Sequence, residues 1–565
     1  MGKLKQYYQI VRLVVSIIRH SIFYIVRNLK GIFSSPKTHL KKVDQSVDST
    51  YQNFLKINYS VWENFLEDIK DIKKGYILID GRVNHPGYLM TNIIVANYIR
   101  KNTQLYPLAF LTGRKEKKIS NFFMSYGVKD FFHLNANKSN LICILKSFLT
   151  LVKLASTLKR TDDILKLKID GISIGYLLYD EYLKQTGNGT IKTITFNFYW
   201  VTFWALRCYY HFDRLFKKKN ISIVVQPEIN YVVGGLLSRV ALKHGAVIYS
   251  PWYWRYGIAV RKYDDPKSIH TYQARPSKKL YDYFYKNHKN EAIKAAEEFL
   301  QQRFSGEDED KDAVLAFSKT KRVLSKLEIC KMFGWSINVP IVCIMSHVFV
   351  DAPHCNNWML FRDFLTWYQL TLKAIHSIDH VNWLIKAHPS EKYYFCRETT
   401  ESEYQILAGD CSHVKILPDD VNSKSLLSTV QAIVTVSGTA GLEFSCFGIP
   451  CILSGESSYS GFGFTTEPQS QKDYFELLKN IHKVRPLDNH QIEKAKLFAY
   501  LYFILFWVHC NLIPAMSTHN DFEEECVWKE ATDMIINHKP SDEKLFHLVQ
   551  AQMAGNHTRL VNWDF

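Results

Sequence analysis

The sequence contains no run of roughly 18 to 20 uncharged apolar residues, the length a helix needs to cross a bilayer, so a spanning segment is not expected. It carries no low-complexity tract, no internal repeat, no zinc-finger spacing and no aromatic RNA-binding motif, and nucleic acid is therefore not an expected partner. No small-residue cleavage site follows a clean apolar core near the start, so a secretion signal is not expected either. The 11 cysteines include no C-x-x-C pair and are odd in number, the usage of a reduced compartment, and a cytoplasmic location is expected. Cys446 and Cys451, the closest pair, read as two small buried thiols.

What is present is a long, aromatic-rich and basic chain. Its 565 residues exceed one ordinary core, and about two or three domains are expected. Hydrophobic residues make up 47%, with 33 Tyr and 35 Phe, as in a folded protein. Lys plus Arg exceed Asp plus Glu by 71 − 54 = 17, which favours an anionic partner such as an acidic membrane or a phosphorylated substrate.

Much of that excess opens the chain. In "KQYYQIVRLVVSIIRHSIFYIVRNLKGIF", Lys5, Gln9, Arg12, Ser16, Arg19, His20, Arg27 and Lys30 fall within an arc of about 100° on a helix, and apolar residues fill most of the rest. The pattern predicts an amphipathic arm over 1–50 lying on an anionic membrane surface. "LFAYLYFILFWV", Leu497 to Val508, is also short for a span and predicts a buried helix.

Beyond the arm, apolar runs alternate with helix-like segments. Strands are predicted at "GYILIDG", "LYPLAFLTG", "ISIVVQP" and "AVIYSP", then at "VPIVCIMSH", "VNWLIKAHP", "HVKILP", "QAIVTVSG" and "IPCILSG". This rhythm predicts an α/β protein with two Rossmann-like domains, at 51–270 and 331–485. A charged, helix-prone bridge over 271–330 joins them, and helices over 486–565 pack back across both.

Ligands of such folds lie beyond the carboxyl ends of the strands. The residues there are Asp80, Arg82 and His85, Gln226 and Glu228, His347, Asp351 and His354, Lys386 and His388, and Ser437, Gly438, Thr439 and Glu443. In "TVSGTAGLEFSCFGIP" a strand passes through a turn of small and hydroxylated residues into a helix, a junction suited to phosphate. Ser437 or Thr439 as an ordinary helix cap is the alternative. Lys386 and His388 in "VNWLIKAHPSE" can meet a departing phosphate as donor and charge. "SHVFVDAPHCNN" has an H-x-x-x-D-x-x-H spacing that fits no metal geometry, so a polar loop supplying carboxylate or imidazole is expected and no metal. Asp80 or His85 could take a proton from an acceptor hydroxyl. Asp180 and Glu181 point about 100° apart on a helix, one inward and one solvated, which does not suit a glycosidase pair.

"IKAHPSE", then "TVSGTAGLEFSCFGIPCILSG" and "SYSGFGFTTEP", resemble the bacterial capsule polysaccharide biosynthesis proteins, glycosyltransferases or their relatives of GT-B type. "SHVFVDAP" and "GYLLYDEYL" look like further family segments. The resemblance is strongest over about 335–480 and weaker over about 75–260, and the arm lies outside it. It implies a GT-B-like fold with a cleft between its domains and a metal-independent transfer from a nucleotide-sugar donor without a cofactor. The acceptor would be a growing capsular glycan, free or lipid-linked, at the cytoplasmic face of the membrane. It implies that Ser437, Gly438 and Thr439 cradle donor phosphate, that Glu443 accepts from the ribose hydroxyls and that His388 meets the leaving phosphate. It singles out no carboxylate of the first half as base. A transferase of polyol phosphate from a CDP donor and a non-catalytic assembly or export component are the alternatives.

Overall fold

The computed structural model describes residues 45–69, 75–112, 116–134, 141–254, 257–270, 274–307, 311–514 and 524–563. The basic stripe of the N-terminal arm lies outside the described residues, whose first element is the helix Gln45–Phe65. Among the described residues no helix is long and apolar enough to cross a membrane.

The first half contains strands β1 (Tyr76–Asp80), β2 (Tyr106–Leu111), β3 (Asp130–His133), a small hairpin β4–β5 (Lys168–Ile169, Ile172–Ser173), β6 (Ile221–Val225), β7 (Val247–Trp254) and β8 (Gly257–Tyr263). Its sheet has the order β3-β2-β1-β6-β7-β8, parallel except for the antiparallel pair β7–β8. The second half contains β9 (Ile341–Met345), β10 (Asn382–Lys386), β11 (Val414–Ile416), β12 (Ala432–Thr435), β13 (Cys451–Leu453) and β14 (Thr465–Thr466). Its sheet is all parallel, in the order β11-β10-β9-β12-β13-β14. Both are Rossmann-like, each with a reversal of strand order beside its first strand.

The central strands are apolar on both faces because helices cover both. β9 and β10 are buried at every residue. Helices Leu141–Thr157, Gly175–Thr186, Phe196–Lys218 and Val232–Lys243 build one layer on the first sheet. Gln45–Phe65, Pro86–Thr103 and the chain's last two helices, Glu525–Asn537 and Lys544–Ala554, build the other. On the second sheet, Lys278–Asn287 and Lys289–Phe304 share a core with Asn489–Tyr500 and the π-helical turn Leu501–Leu505 that continues it. The segment read as a bridge thus contributes Tyr281, Phe284, Ala292, Ala296 and Leu300 to the second core.

The halves meet at their carboxyl edges. Beyond β6, Tyr231 donates its hydroxyl to Asp351 beyond β9 at 2.6 Å. To one side Tyr179 donates to Asp363 at 2.6 Å, Asp162 pairs with Arg362 at 2.6 Å, and Asp180 pairs with His354 at 2.5 Å. Both strand-end sets therefore face one cleft, a GT-B-like arrangement.

Candidate active site

The strand order of the second sheet reverses between β9 and β12, and the residues that follow them sit together. His347, after β9, is buried, and its Nε2 accepts the N–H of Val436 at 3.2 Å and of Ser437 at 3.4 Å, with Thr435 Oγ1 at 3.0 Å. Burial, helped by the charge of His388, pushes its pKa down to about 3. A neutral imidazole whose Nε2 is occupied positions the turn after β12. His347 also lines the small pocket described below, so the loop after β9 brings its imidazole to the strand ends as expected.

The other side of that turn is held by "SYSGFGF". Ser457 Oγ donates to the Ser437 carbonyl at 3.1 Å and Tyr459 Oη to the Gly438 carbonyl at 2.5 Å. Tyr459 reaches it only because residue 441 is glycine, where a Cβ would lie 2.0 Å from its oxygen. The two motifs, some twenty residues apart, form one device that ties the turn's carbonyls away.

Thr439 is the N-cap of the next helix, yet its side chain makes no cap bond, so the capping alternative is not the one adopted. That helix, Ala440–Ser445, has only six residues. Its dipole is correspondingly weak, and charge at this pocket comes from side chains.

Lys386, which ends β10, and Ala387 and His388 after it enter the same pocket, a cavity of about 110 Å³ also lined by Gly438, Thr439, Ser423 and Arg303. Lys386 is 7% exposed, and burial, with repulsion from Lys321, lowers its pKa to about 8. His388 Nδ1 accepts the N–H of Ser390 at 3.2 Å, which places the proton of the neutral ring on Nε2 as a donor. Glu443 lines the pocket too, with Oε1 held by Arg303 Nε at 3.0 Å and Nη2 at 2.9 Å, both side chains being buried. Arg303 lies in the helix Lys289–Phe304, within the segment whose charge reads as a bridge, and no local pattern marks it as a site residue. Ser437 is held by its backbone and does not line this cavity.

A second cavity, of about 500 Å³, occupies the cleft between the halves. Tyr88, Glu228, Tyr231, Trp252 and Trp254 line it from the first half and Asp351, Ala352 and Cys355 from the second, with Trp507 and Arg559 returning from later in the chain. Its aromatic walls and few polar groups suit a sugar. Tyr231 has φ 54°, ψ −177°, a conformation that is costly for a residue with a side chain, and it is held there by Asp351 and by Lys184, whose Nζ lies 3.7 Å from the ring centroid.

The carboxylates of the first half divide here. Asp80 accepts Arg82 Nε at 2.9 Å, Nη2 at 2.8 Å and the Arg82 N–H at 3.0 Å, and is buried. It anchors Arg82, which takes up three of its acceptor positions. His85 is the N-cap of Pro86–Thr103 with its ring edge-on to Tyr88, outside the residues that line either cavity. Glu228 faces the cleft cavity, and burial raises its pKa against the pull of Arg82 and Lys184. A carboxylate raised toward neutral is the usual tuning of a general base. Asp351 accepts from Tyr231 and, at 3.0 Å, from Tyr394.

His354 does not join His347 and Asp351 in a metal set. Its Nδ1 meets Asp180 and its Nε2 meets the Arg362 carbonyl at 2.8 Å; burial lowers its pKa, but Asp180 outweighs burial and raises it, which favours the imidazolium. Asp180 is thus the inward member of its pair, and Glu181 is half-buried, accepting the Val232 N–H at 3.1 Å.

The family model of capsule polysaccharide biosynthesis proteins matches residues 369–489, so the resemblance carried by "IKAHPSE", "SGTAGLEFSCFGIP" and "SYSGFGFTTEP" holds over this part of the chain. "SHVFVDAP" and "GYLLYDEYL" fall outside the match. No curated protein matches the chain. Solved structures similar to it include two Thermosulfurimonas dismutans KpsC structures. The beta Kdo 2,4 transferase is 18% identical, with 52% of this chain and 82% of that one covered and a TM-score of 0.32. The beta Kdo 2,7 transferase is 16% identical, with 58% and 88% covered and a TM-score of 0.31. The Methanocaldococcus jannaschii UDP-GlcNAc 2-epimerase is 11% identical, with 74% and 97% covered and a TM-score of 0.25. At scores this low neither activity nor ligand is inferred from them.

Proposed function

We propose that the protein is a glycosyltransferase that moves a sugar from a nucleotide-sugar donor to a growing capsular glycan, free or lipid-linked, without a metal or cofactor. The observation that carries this reading is the pocket at the switch point of the second sheet. Lys386, His388 Nε2–H and the turn Gly438–Thr439 converge there, and a larger aromatic cavity occupies the cleft. The match to capsule biosynthesis proteins over the same sheet supports it.

In this reading Lys386 and Gly438–Thr439 hold donor phosphate, with Ser437 shaping the turn, Glu443 accepts from the ribose, and His388 donates to the phosphate oxygen that gains charge as the sugar leaves. Glu228 takes the proton of the acceptor hydroxyl in the cleft. Asp351 and His347 hold the walls in place. The basic arm keeps the chain at the cytoplasmic face of an anionic membrane, where a lipid-linked acceptor is displayed.

His388→Ala tests the assignment with a panel of nucleotide sugars. Turnover should fall far more than donor affinity, since the bond strengthens in the transition state. Near-normal turnover would make the histidine structural, and donor binding without turnover in the unaltered protein would favour a non-catalytic assembly component.

A further inference from the structure

The helix Leu141–Thr157 buries one face and leaves an aliphatic one in water. Cys143, Ser147, Leu151, Leu154 and Ala155 pack into the first domain's core. On the opposite side Leu141, Ile142, Leu145 and Leu149 are between 58% and 70% exposed, and Val152 is 40% exposed. At 100° per residue these five fall within an arc of about 100°, so they form one stripe rather than scattered surface positions.

The helix's own charge has one sign. Residues 141–157 contain no Asp or Glu, and their two charged residues, Lys146 and Lys153, are both exposed and flank the stripe along the same edge. Lys159 and Arg160 extend this edge into solvent. The acidic residues that follow are engaged: Asp162 pairs with Arg362 at 2.6 Å, and Asp163 accepts the N–H groups of Lys159 and Arg160 at 3.1 and 2.9 Å. Leucines beside unopposed lysines match a bilayer interface, where the aliphatic chains enter the acyl boundary and the ammonium groups reach anionic headgroups.

We propose that the exposed face of Leu141–Thr157 is a membrane-docking surface that seats the first domain on an anionic bilayer, as a second contact besides the arm. The inference rests on the peripheral location proposed above, and the test separates the two.

The full-length chain is sedimented with vesicles of phosphatidylcholine alone and with phosphatidylglycerol added. Leu145→Ser with Leu149→Ser should weaken partition onto the anionic vesicles by about tenfold or more, since two aliphatic side chains no longer leave water. Lys146→Ser with Lys153→Ser should weaken it mainly at low salt. Both pairs are exposed, so the fold should survive, and an unchanged melting temperature checks this. If the unaltered protein ignores the vesicles, the peripheral reading and this inference both fall. If the leucine variant partitions as before, the inference alone falls. Unchanged partition with a lowered melting temperature would assign the face to another segment of this chain. Unchanged partition with loss of a dimer would assign it to a second copy, and either result overturns the proposal.

Discussion

Replacing Lys386 with methionine should make the protein more stable and worse at holding an anion, two effects of opposite sign from one buried charge. The ammonium at the end of β10 is 7% exposed, and burial together with Lys321 lowers its pKa from 10.5 to about 8. At about 1.36 kcal/mol per pH unit that drop corresponds to a cost of about 3 kcal/mol to the folded state. Below about pH 8 both folded and unfolded chains carry the proton and the cost is full. Between about 8 and 10.5 the folded chain releases it while the unfolded chain keeps it, so stability rises with pH. The methionine variant should therefore unfold at a higher temperature than the unaltered protein at pH 7, with the gap closing toward pH 10.5. A phosphate in the pocket gains a charge-assisted bond from Lys386, worth about 1.5 to 3 kcal/mol, so the variant should bind the donor about tenfold to a hundredfold more weakly. Thermal unfolding across this pH range and calorimetric titration with a nucleotide diphosphate read the two arms. A variant less stable than the parent with unchanged affinity would refute the reasoning and make Lys386 a packing residue.

Glu228→Gln should abolish most turnover while leaving donor affinity intact, and the acidic limb of the rate profile, which reports the base's raised pKa, should disappear; an unchanged profile would remove Glu228 from the mechanism. Glu443→Gln leaves the Arg303 charge buried, which should cost about 3 kcal/mol of stability, and donor affinity measured on the protein that remains folded should also fall about tenfold; equal affinities would sink the ribose assignment. His354 has its pKa raised by Asp180 against the effect of burial, so its contribution is full below about pH 6.5 and is lost as pH rises through the folded value. His354→Gln should flatten that dependence, and an identical pH profile of unfolding would contradict the imidazolium.

The buried parallel strands were legible because helices on both faces force continuous apolar runs, and all nine strands read from such runs are present. β3 and β8 were not. β3 has four half-buried residues, and β8 is an antiparallel edge carrying Arg261 and Lys262, outside the strand-helix rhythm. β7 also runs past Pro251 to Trp254, which it can do because it has left β6 after Tyr249. At the site, strand-end position brought Lys386, His388, Gly438 and Thr439 into one pocket. Which polar groups are consumed by neighbours was not legible. Asp80 is claimed by a residue two places on, but His347 is claimed by backbone 89 and 90 residues away and Glu443 by Arg303, 140 residues away. Such partners are set by packing of separate elements, and no local pattern records them.

The account stands most directly on what the cleft produces. Purified full-length protein, given a panel of nucleotide sugars and a capsular oligosaccharide acceptor, should release free nucleotide and extend the acceptor by the mass of one sugar residue joined through a glycosidic bond, with His388→Ala greatly slowed. A product extended through a phosphodiester, or nucleotide held with no change in any acceptor, would contradict it.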